Sequence, residues 1–506
     1  MSDYLEFVKD GVQTLLERQS ARLGGRPDGT PCITVSHNFI RTWRTLGKKD
    51  GGYYSIRIEG HPLEPEPYRL DMRIWPVLEL FSEVTGDPQY RQQVEAMASA
   101  FGAHGFDPAS GLGYLGTETQ FDVLRLRPVY AHSPEGTPIF KPSLSVPLDR
   151  LWDATPEKMT RMFKAAYHGL ITRPESMAYN RYCAYGFDDR VRKPSMAFNP
   201  RHVAFAQTGA FLIHWWGFHF ARTGDSESLG WAQRMADKWG AVQDPASGLI
   251  PHCFTNERSD ADTQPPRLYS CYGEMQTVVS LLRAVREIGK RPEGAALAGQ
   301  VEAMARRLLV GMAHHGYIPE ERVFPHWMYL DGRPCRETVA YCFGTQEEKD
   351  EAVKQDPILE EVAVYMGTGF YTDWPSNVGV QNDFPCHMAL GARMTGDVEV
   401  LSGARGFAKD LMEAAGRLTG AFNAQGQWTY SASASYIKML LLLFEATKER
   451  NYLDQARRLA DMELNFLAQP LPAGQPEWWR MTFRDGLLEA LLLLHRALAD
   501  AEKREG

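Results

Sequence analysis

No stretch of this sequence is apolar enough to cross a bilayer. Its longest aliphatic runs, Met439–Phe444 and Leu491–Leu494, fall far below the ~18 residues a helical span needs, so a membrane partner is not expected. Positive charge is in short supply as well: 55 Lys and Arg face 63 Asp and Glu, a formal net charge of −8. That balance argues against a nucleic-acid backbone as the main partner. Cysteine is sparse. Cys32, Cys183, Cys253, Cys271, Cys335, Cys342 and Cys386 form an odd, scattered set of seven with no CxxC pair, which reads as reduced, mostly buried thiols. The opening MSDYLEFVKDGVQTLLERQ lacks an apolar core followed by a small-residue cleavage site, so the expected location is cytoplasmic. GxxxxGK[ST], HExxH, GxSxG and zinc-finger spacings are also missing, which counts against P-loop enzymes, zincins, α/β-hydrolases and zinc modules. Nor is there a Ser/Gly/Pro linker or a low-complexity tract. The economical division is an N-terminal extension, residues 1–60, packed on one large domain, residues 61–500.

What the sequence does hold is a phrase written twice. DPASGL occurs at Asp107–Leu112 and again at Asp244–Leu249, trailing Thr85-Gly86-Asp87 by 22 residues and Thr223-Gly224-Asp225 by 21. Glycine ends a helix in the left-handed conformation and aspartate caps the next one, so TGD predicts a tight helix–helix turn. Met72, Trp75, Leu78, Leu80 and Phe81 give an apolar helical face before the first copy, and Tyr90, Val94, Met97 and Phe101 continue it afterwards. Pro76 falls inside that upstream run and predicts a kink. The pattern returns at Thr395-Gly396-Asp397, more weakly from Thr447 through Tyr452, and in the helical stretch Ala296–Met312. Helical hairpins repeated over most of a chain mean a solenoid or a closed ring. Irregular spacing and long loops rich in Gly, Trp, Tyr and His favour the ring. The expected fold is all-α, an (α/α)n toroid of hairpins with long rim loops and short β-hairpins.

Aromatic residues are plentiful, with 12 Trp, 21 Tyr and 24 Phe. Several stand in loop sequences beside polar groups, as in Phe324-Pro-His-Trp327, Tyr371-Thr-Asp-Trp374, Trp428-Thr-Tyr430 and Trp478-Trp479. A single Trp or Tyr is ordinarily a core residue with one polar end. Their concentration in loops suits a sugar cleft, because a pyranose face is apolar and its rim is lined with hydroxyls.

The stretch Leu70–Tyr90, LDMRIWPVLELFSEVTGDPQY, with Ser110–Gly116, SGLGYLG, behind it, resembles the opening hairpin of α/α-toroid carbohydrate enzymes. More specifically it is similar to the family 2 pectate lyases. A second likeness lies in Asp149–Lys158, DRLWDATPEK, followed by Met177–Gly186, MAYNRYCAYG. The resemblance implies a catalytic base at Arg181, where the family has an Asn-Arg-His triplet. It also implies a divalent metal held by that triplet's His, an earlier His and a Glu. Here those three positions are Tyr182, Glu118 and the neighbourhood of Ile139-Phe140. Only Glu118 offers an oxygen of the expected kind, so the ligand set of the implied divalent cation is mostly absent.

β-Elimination on a uronic acid needs three things: a neutralised carboxylate that acidifies the C5 proton, a base to take that proton, and an acid to protonate the departing O4. An arginine neutralises a carboxylate through a bidentate pair. A tyrosine beside a cation serves as base and acid. Arg181-Tyr182 holds both types, although neighbours on a helix or strand point apart, so they share a substrate only on a loop. Equally, Arg181 could cap a helix or pair with Asp188 or Asp189 while Tyr182 packs. Other polar clusters compete. Arg201 and His202 precede an apolar helix, and His168 is a further acid or base or else a packed helix histidine. Tyr272 and Glu274 stand where a helix begins, and Glu274 also suits the helix dipole. The stretch Trp374–Asp383, with Asn377 and Asn382 inside it and His387 behind it, is dense in side chains that hydrogen-bond hydroxyls, and Trp327 joins it as one of the loop aromatics.

These readings give an enzyme as the leading expectation, a lyase that cleaves an acidic oligosaccharide. Arg181, Tyr182, His168 and His202 are its catalytic candidates. Arg201, Tyr272, Glu274, Trp327, Trp374, Asn377, Asn382 and Asp383 are its substrate-binding candidates. A glycoside hydrolase using paired carboxylates such as Asp383 with Glu274 or Glu118 is the first alternative. A sugar epimerase on a related toroid is a lesser variant, and a noncatalytic sugar-binding or scaffold protein is the last.

Overall fold

A computed structural model of the chain describes residues 4–18, 20–35, 42–49, 52–58, 69–115, 119–130, 139–143, 146–180, 183–185, 203–251, 253–255, 268–318, 323–325, 327–333, 347, 350–351, 354, 371–373, 383–414, 433–468 and 484–505. They belong to two compact units, Asp3–Ala204 and Phe205–Gly506. Among the described residues no helix is long and apolar enough to cross a membrane.

The first unit opens with helix α1 (Tyr4–Arg18), which buries Tyr4, Val8, Val12 and Leu15 along one stripe. Five short strands make one antiparallel sheet in the order β1-β2-β5-β6-β7: β1 (Ser20–Arg22), β2 (Pro31–Val35), β5 (Arg69–Leu70), β6 (Thr119–Asp122) and β7 (Arg127–Tyr130). Strands β3 (Thr42–Lys49) and β4 (Gly52–Ile58) pair only with each other among the described residues. Helices α2 (Trp75–Thr85) and α3 (Gln89–His104) form the first hairpin, and α4 (Leu148–Ala154) and α5 (Pro156–Leu170) follow it. Two further strand pairs close the unit: β8 (Ile139–Phe140) with β11 (Cys183–Ala184), and β9 (Ile171–Arg173) with β10 (Ala178–Tyr179).

Pro76 does not kink its helix, contrary to the expectation. Helix α2 starts at Trp75, so Pro76 lies in the first turn, where a missing N–H costs nothing. The apolar residues before it belong to a separate 3₁₀ turn, Met72–Ile74, capped by Asp71, whose carboxylate accepts from the Arg73 N–H at 3.1 Å.

In the second unit the helices come in antiparallel pairs: α6 (Ala206–Thr223) with α7 (Ser226–Val242), α8 (Cys271–Ile288) with α9 (Ala295–His315), α10 (Asp383–Thr395) with α11 (Val398–Ala414), and α12 (Ser433–Thr447) with α13 (Arg450–Leu467), followed by α14 (Arg484–Glu505). The first member of each pair packs on the first member of the next, so α6, α8, α10, α12 and α14 make one layer and α7, α9, α11 and α13 back it. Burial follows this division. Helix α6 is buried at every residue from Thr208 to Phe220, whereas α7 buries only Ser228, Trp231, Ala232, Met235, Ala236 and Trp239. A helix apolar all round belongs in an inner layer, and one with a single stripe belongs outside. This alternation is that of the (α/α)n toroid class, the fold class expected from the repeats.

The TGD turns are built as the sequence predicts. Gly86, Gly224 and Gly396 have φ of 74°, 75° and 65°, and each threonine hydroxyl donates back to the carbonyl four residues earlier at 2.7, 2.7 and 2.8 Å. One helix ends there and the aspartate caps the start of the next. Because each outer helix returns the chain to the same end, α8, α10, α12 and α14 all begin at the end where α6 begins. The side-chain hydrogen bond from Gln207, the second residue of α6, to Gln276, in the second turn of α8, fits that parallel register.

Candidate active site

In the second unit the inner-helix N-termini gather several of the predicted binding residues. Tyr272 and Glu274 lie in the first turn of α8, and Asp383 is the first residue of α10, which packs on α8. Strand Leu268–Ser270 pairs with Trp327–Tyr329, and its register sets Trp327 opposite Ser270, the residue before α8 starts. A second pair joins Val323–Pro325 to Tyr371–Asp373, which brings the segment ahead of Trp374 beside the one ahead of Trp327. Strand register therefore collects residues about a hundred positions apart in sequence at one helix end. Helix N-termini present free N–H groups and a partial positive charge, which suits anionic or hydroxyl-rich ligands. Trp374, Asn377 and Asn382 themselves lie outside the described residues.

The first unit collects the other set. The hairpin β9–β10 leads out of α5, and the Asn180 N–H donates to the Leu170 carbonyl at 2.9 Å, which fixes the chain just ahead of Arg181. Asn180 is buried, 8% exposed. Beyond Tyr182, β11 pairs with β8 in the register Cys183↔Phe140 and Ala184↔Ile139. Tyr185 then ties this pair to the loop that follows the first DPASGL turn. Its hydroxyl donates to the Gly113 carbonyl at 3.0 Å and is hydrogen-bonded to Thr119. Its ring lies 5.2 Å from Tyr114 and 6.1 Å, edge to face, from Phe140. Burial holds the Tyr185 phenol, and likewise the Cys183 thiol, well above their ordinary ranges, so both stay protonated. The segments flanking positions 118, 140 and 181 thus meet in one place. Arg181, Tyr182 and Glu118 themselves, with Arg201 and His202, lie outside the described residues.

The donor set at these positions does not fit a divalent ion. Phe140 is fully buried among aromatic rings and, like Ile139, has no lone pair to offer, so a single carboxylate at Glu118 and a phenol at Tyr182 would remain. Among the described residues no group of three or more His, Cys, Asp and Glu side chains is placed to hold a metal. His168 is on the exposed side of the last turn of α5, edge to face with Tyr167 at 5.4 Å. The buried stripe of that helix runs through Met159, Met162, Phe163, Ala166 and Leu170 instead. Tyr185, Asn180 and Thr119 escaped the sequence reading. A tyrosine three residues beyond a candidate site carries a signal only when β8 and β11 are known to pair.

An α/α scaffold with aromatic and polar residues gathered at helix ends defines a class, the carbohydrate-processing enzymes of this fold. A sequence model described as periplasmic pectate lyase matches residues 73–474, and the chain belongs to that family. Among solved structures it is similar to a D-mannose isomerase, at 14% identity and a TM-score of 0.40 over 72% of this chain and 93% of that one. A sugar epimerase from a ruminal bacterium matches at 10% identity and a TM-score of 0.44, over 71% of this chain and 77% of that one. The unsaturated glucuronyl hydrolase of Bacillus sp. GL1 matches at 11% identity and a TM-score of 0.38, over 98% and 96%.

The family's periplasmic description overturns the cytoplasmic location expected above. That expectation leaned on the opening residues. Cys32, Cys183 and Cys386 are indeed free thiols, but free thiols occur in either compartment and do not discriminate between them.

Proposed function

We propose that the chain cleaves a uronate-containing glycan by β-elimination at the site around Arg181. The reading rests on one observation: β8, β11 and the Gly113–Leu115 loop meet through Tyr185, so the sequence-distant segments that resemble the lyase motif are neighbours in space. A guanidinium stays protonated near neutral pH. Arg181 is therefore assigned to pair with the uronate carboxylate, which drains charge from C5 and acidifies its proton. Tyr182, beside that cation, takes the proton and returns one to O4 of the leaving sugar, with His168 or His202 as the other proton carrier. No step is assigned to a metal, because the donor set does not fit one.

The test is incubation with polygalacturonate or short oligouronates. Growth of ultraviolet absorbance from the unsaturated uronate marks the lyase, and Arg181→Ala should lower that rate by about 10²–10⁴-fold. Unchanged turnover in Arg181→Ala sinks the assignment. One observation favours a second reading, a glycoside hydrolase: Glu274 and Asp383 both stand in first turns of adjacent, parallel inner helices. New reducing ends without absorbance, abolished by Glu274→Gln or Asp383→Asn, would select it.

A further inference from the structure

Asn180 closes a buried run, Met177, Ala178, Tyr179 and Asn180, and is itself 8% exposed. Its backbone N–H donates to the Leu170 carbonyl at 2.9 Å. Its side-chain amide, by contrast, makes no hydrogen bond to any of the described residues. Burying an amide without a partner is unfavourable, and native proteins seldom leave one so. An apolar side chain branched in the same way, such as leucine, would fill the space without that cost. The amide therefore serves something the chain itself does not supply.

The surroundings indicate what binds there. Leu170 ends α5, and α5 also packs on β11. Asn180 lies between β10 and β11 and belongs to neither, so it stands on the side from which the chain enters β11. Strand β8 runs antiparallel to β11, with Phe140 opposite Cys183 and Ile139 opposite Ala184. Passing beyond Phe140 therefore leads to that same entering end, and the next residue is Lys141, half-buried. Arg181 follows Asn180 directly in sequence. An amide donor in the company of two cationic residues suits an anion with several acceptor sites. A carboxylate offers about four lone-pair positions. A bidentate guanidinium takes some of them and leaves the rest for an amide N–H and an ammonium.

We propose that Asn180 is a substrate-binding residue that donates its side-chain N–H to a sugar carboxylate, and that it selects the free uronic acid over its neutral ester. A hydrogen bond to a charged acceptor is stronger than one to an ester carbonyl, so the amide discriminates between the two. The inference rests on the uronate reading above and names a residue that reading did not use.

The experiment titrates the full chain with monomeric galacturonate, which has no glycosidic bond to lose and so reports binding at equilibrium, and with its methyl ester. Asn180→Asp keeps the shape but replaces a donor with a second carboxylate. It should weaken galacturonate binding tenfold or more and change ester binding less than about threefold. Asn180→Leu should weaken galacturonate binding on the order of tenfold while its urea midpoint stays level or rises, because the buried amide is gone. A structural amide gives the opposite pattern for leucine, a lower midpoint with binding intact, and that result would overturn the proposal. Equal losses on acid and ester would overturn it as well, since the amide would then read a hydroxyl, and so would a parent chain that does not bind galacturonate. Binding that depends on Asn180 in a chain that never raises ultraviolet absorbance from polygalacturonate would sink the lyase reading alone. Turnover of polygalacturonate that needs Arg181 but is indifferent to Asn180 would sink this one alone.

Discussion

The two hairpins that carry the doubled phrase, α2–α3 and α6–α7, share one backbone device and differ in what fills it. Four residues before each TGD threonine and five after it stand Phe81 and Tyr90 in the first hairpin, His219 and Ser228 in the second. Phe81 and Tyr90 meet ring to ring at 4.7 Å. His219 Nδ1 and the Ser228 hydroxyl are 2.8 Å apart, and Ser228 also donates to Asp225 at 2.8 Å. One hairpin is closed by an aromatic pair and the other by a buried polar network. The DPASGL turns repeat the lesson. In both, the aspartate N–H donates to the leucine carbonyl, at 2.8 and 2.9 Å, and the serine N–H to the aspartate carboxylate, at 2.7 and 2.8 Å. Around the first, the Arg161 guanidinium donates to the Pro108 and Ala109 carbonyls, each at 2.9 Å. Around the second, Gln243 donates to the Gly248 carbonyl at 2.7 Å and is itself held by Arg307 at 2.6 and 3.0 Å. A turn's shape is written locally, and its attachment to the rest of the molecule is not.

The sharpest way to break this comparison is to add one methyl group to each copy. Gly111 and Gly248 have φ of 81° and 73°, so alanine pays the left-handed penalty of about 1–2 kcal/mol at either place. The surroundings differ. A Cβ at Gly111 would come within 2.6 Å of the Arg161 stem, a flexible side chain, whereas at Gly248 it would fall on the backbone carbonyl of Arg307. Gly248→Ala should therefore cost about 3–4 kcal/mol and Gly111→Ala about 1–2, read as urea midpoints at constant slope. Equal losses would mean that the second turn's close backbone approach is not what holds it.

A smaller contrast separates the capping aspartates. Asp225 accepts from the Ser228 N–H and hydroxyl and lies 3.5 Å from His219, which is 1% exposed. Asp87 caps only Gln89, through its N–H at 3.0 Å and its side-chain amide. Alanine at 225 removes a cap and an acceptor from a buried network, about 2 kcal/mol; alanine at 87 removes an exposed cap, about 0.5–1 kcal/mol. The double variant with Ser228→Ala should lose more than Asp225→Ala alone, because without Asp225 the Ser228 hydroxyl still serves the buried His219 Nδ1, 2.8 Å away, and its removal takes that hydrogen bond as well.

The hairpins were legible because each of their signals is local: glycine where φ must be positive, an acid at the next cap, and an apolar face at helical spacing. The sheet was not. Strands of two to five residues, such as β2, β5 and β6, are too short to show a period, and Arg69 pairs with Asp122 across more than fifty residues. For the same reason sequence placed Arg181 by resemblance but missed Tyr185, whose role depends on β8 lying beside β11. On the second unit's side, Tyr272 and Glu274 were legible as helix-start residues. That Trp327 shares their end followed only from the register with Ser270. Pro76 misled because a run of apolar residues crosses from a 3₁₀ turn into a helix without a change of composition.

The smallest expected effect concerns the one turn that departs from the pattern. Thr447-Lys448-Glu449 repeats the device: the Thr447 hydroxyl donates to the Leu443 carbonyl at 2.8 Å, the Glu449 N–H to Thr447 at 3.1 Å, and Lys448 has φ of 63° where the other three turns have glycine. Arg405 on α11 pairs with Glu449 as Arg306 on α9 pairs with Asp397, so the clamp from the preceding outer helix is kept while the glycine is not. A lysine there carries a Cβ penalty of about 1–2 kcal/mol. Lys448→Gly removes it but loosens the unfolded chain, which returns about 0.4–1 kcal/mol. The net is a stabilisation of about 0.5–1 kcal/mol, seen as a higher urea midpoint with unchanged slope. Lys448→Asn, which tolerates the left-handed region without glycine's entropy, should match it. If both variants lose stability, the turn is held by the lysine side chain rather than by its backbone, and the fourth copy does not belong with the other three.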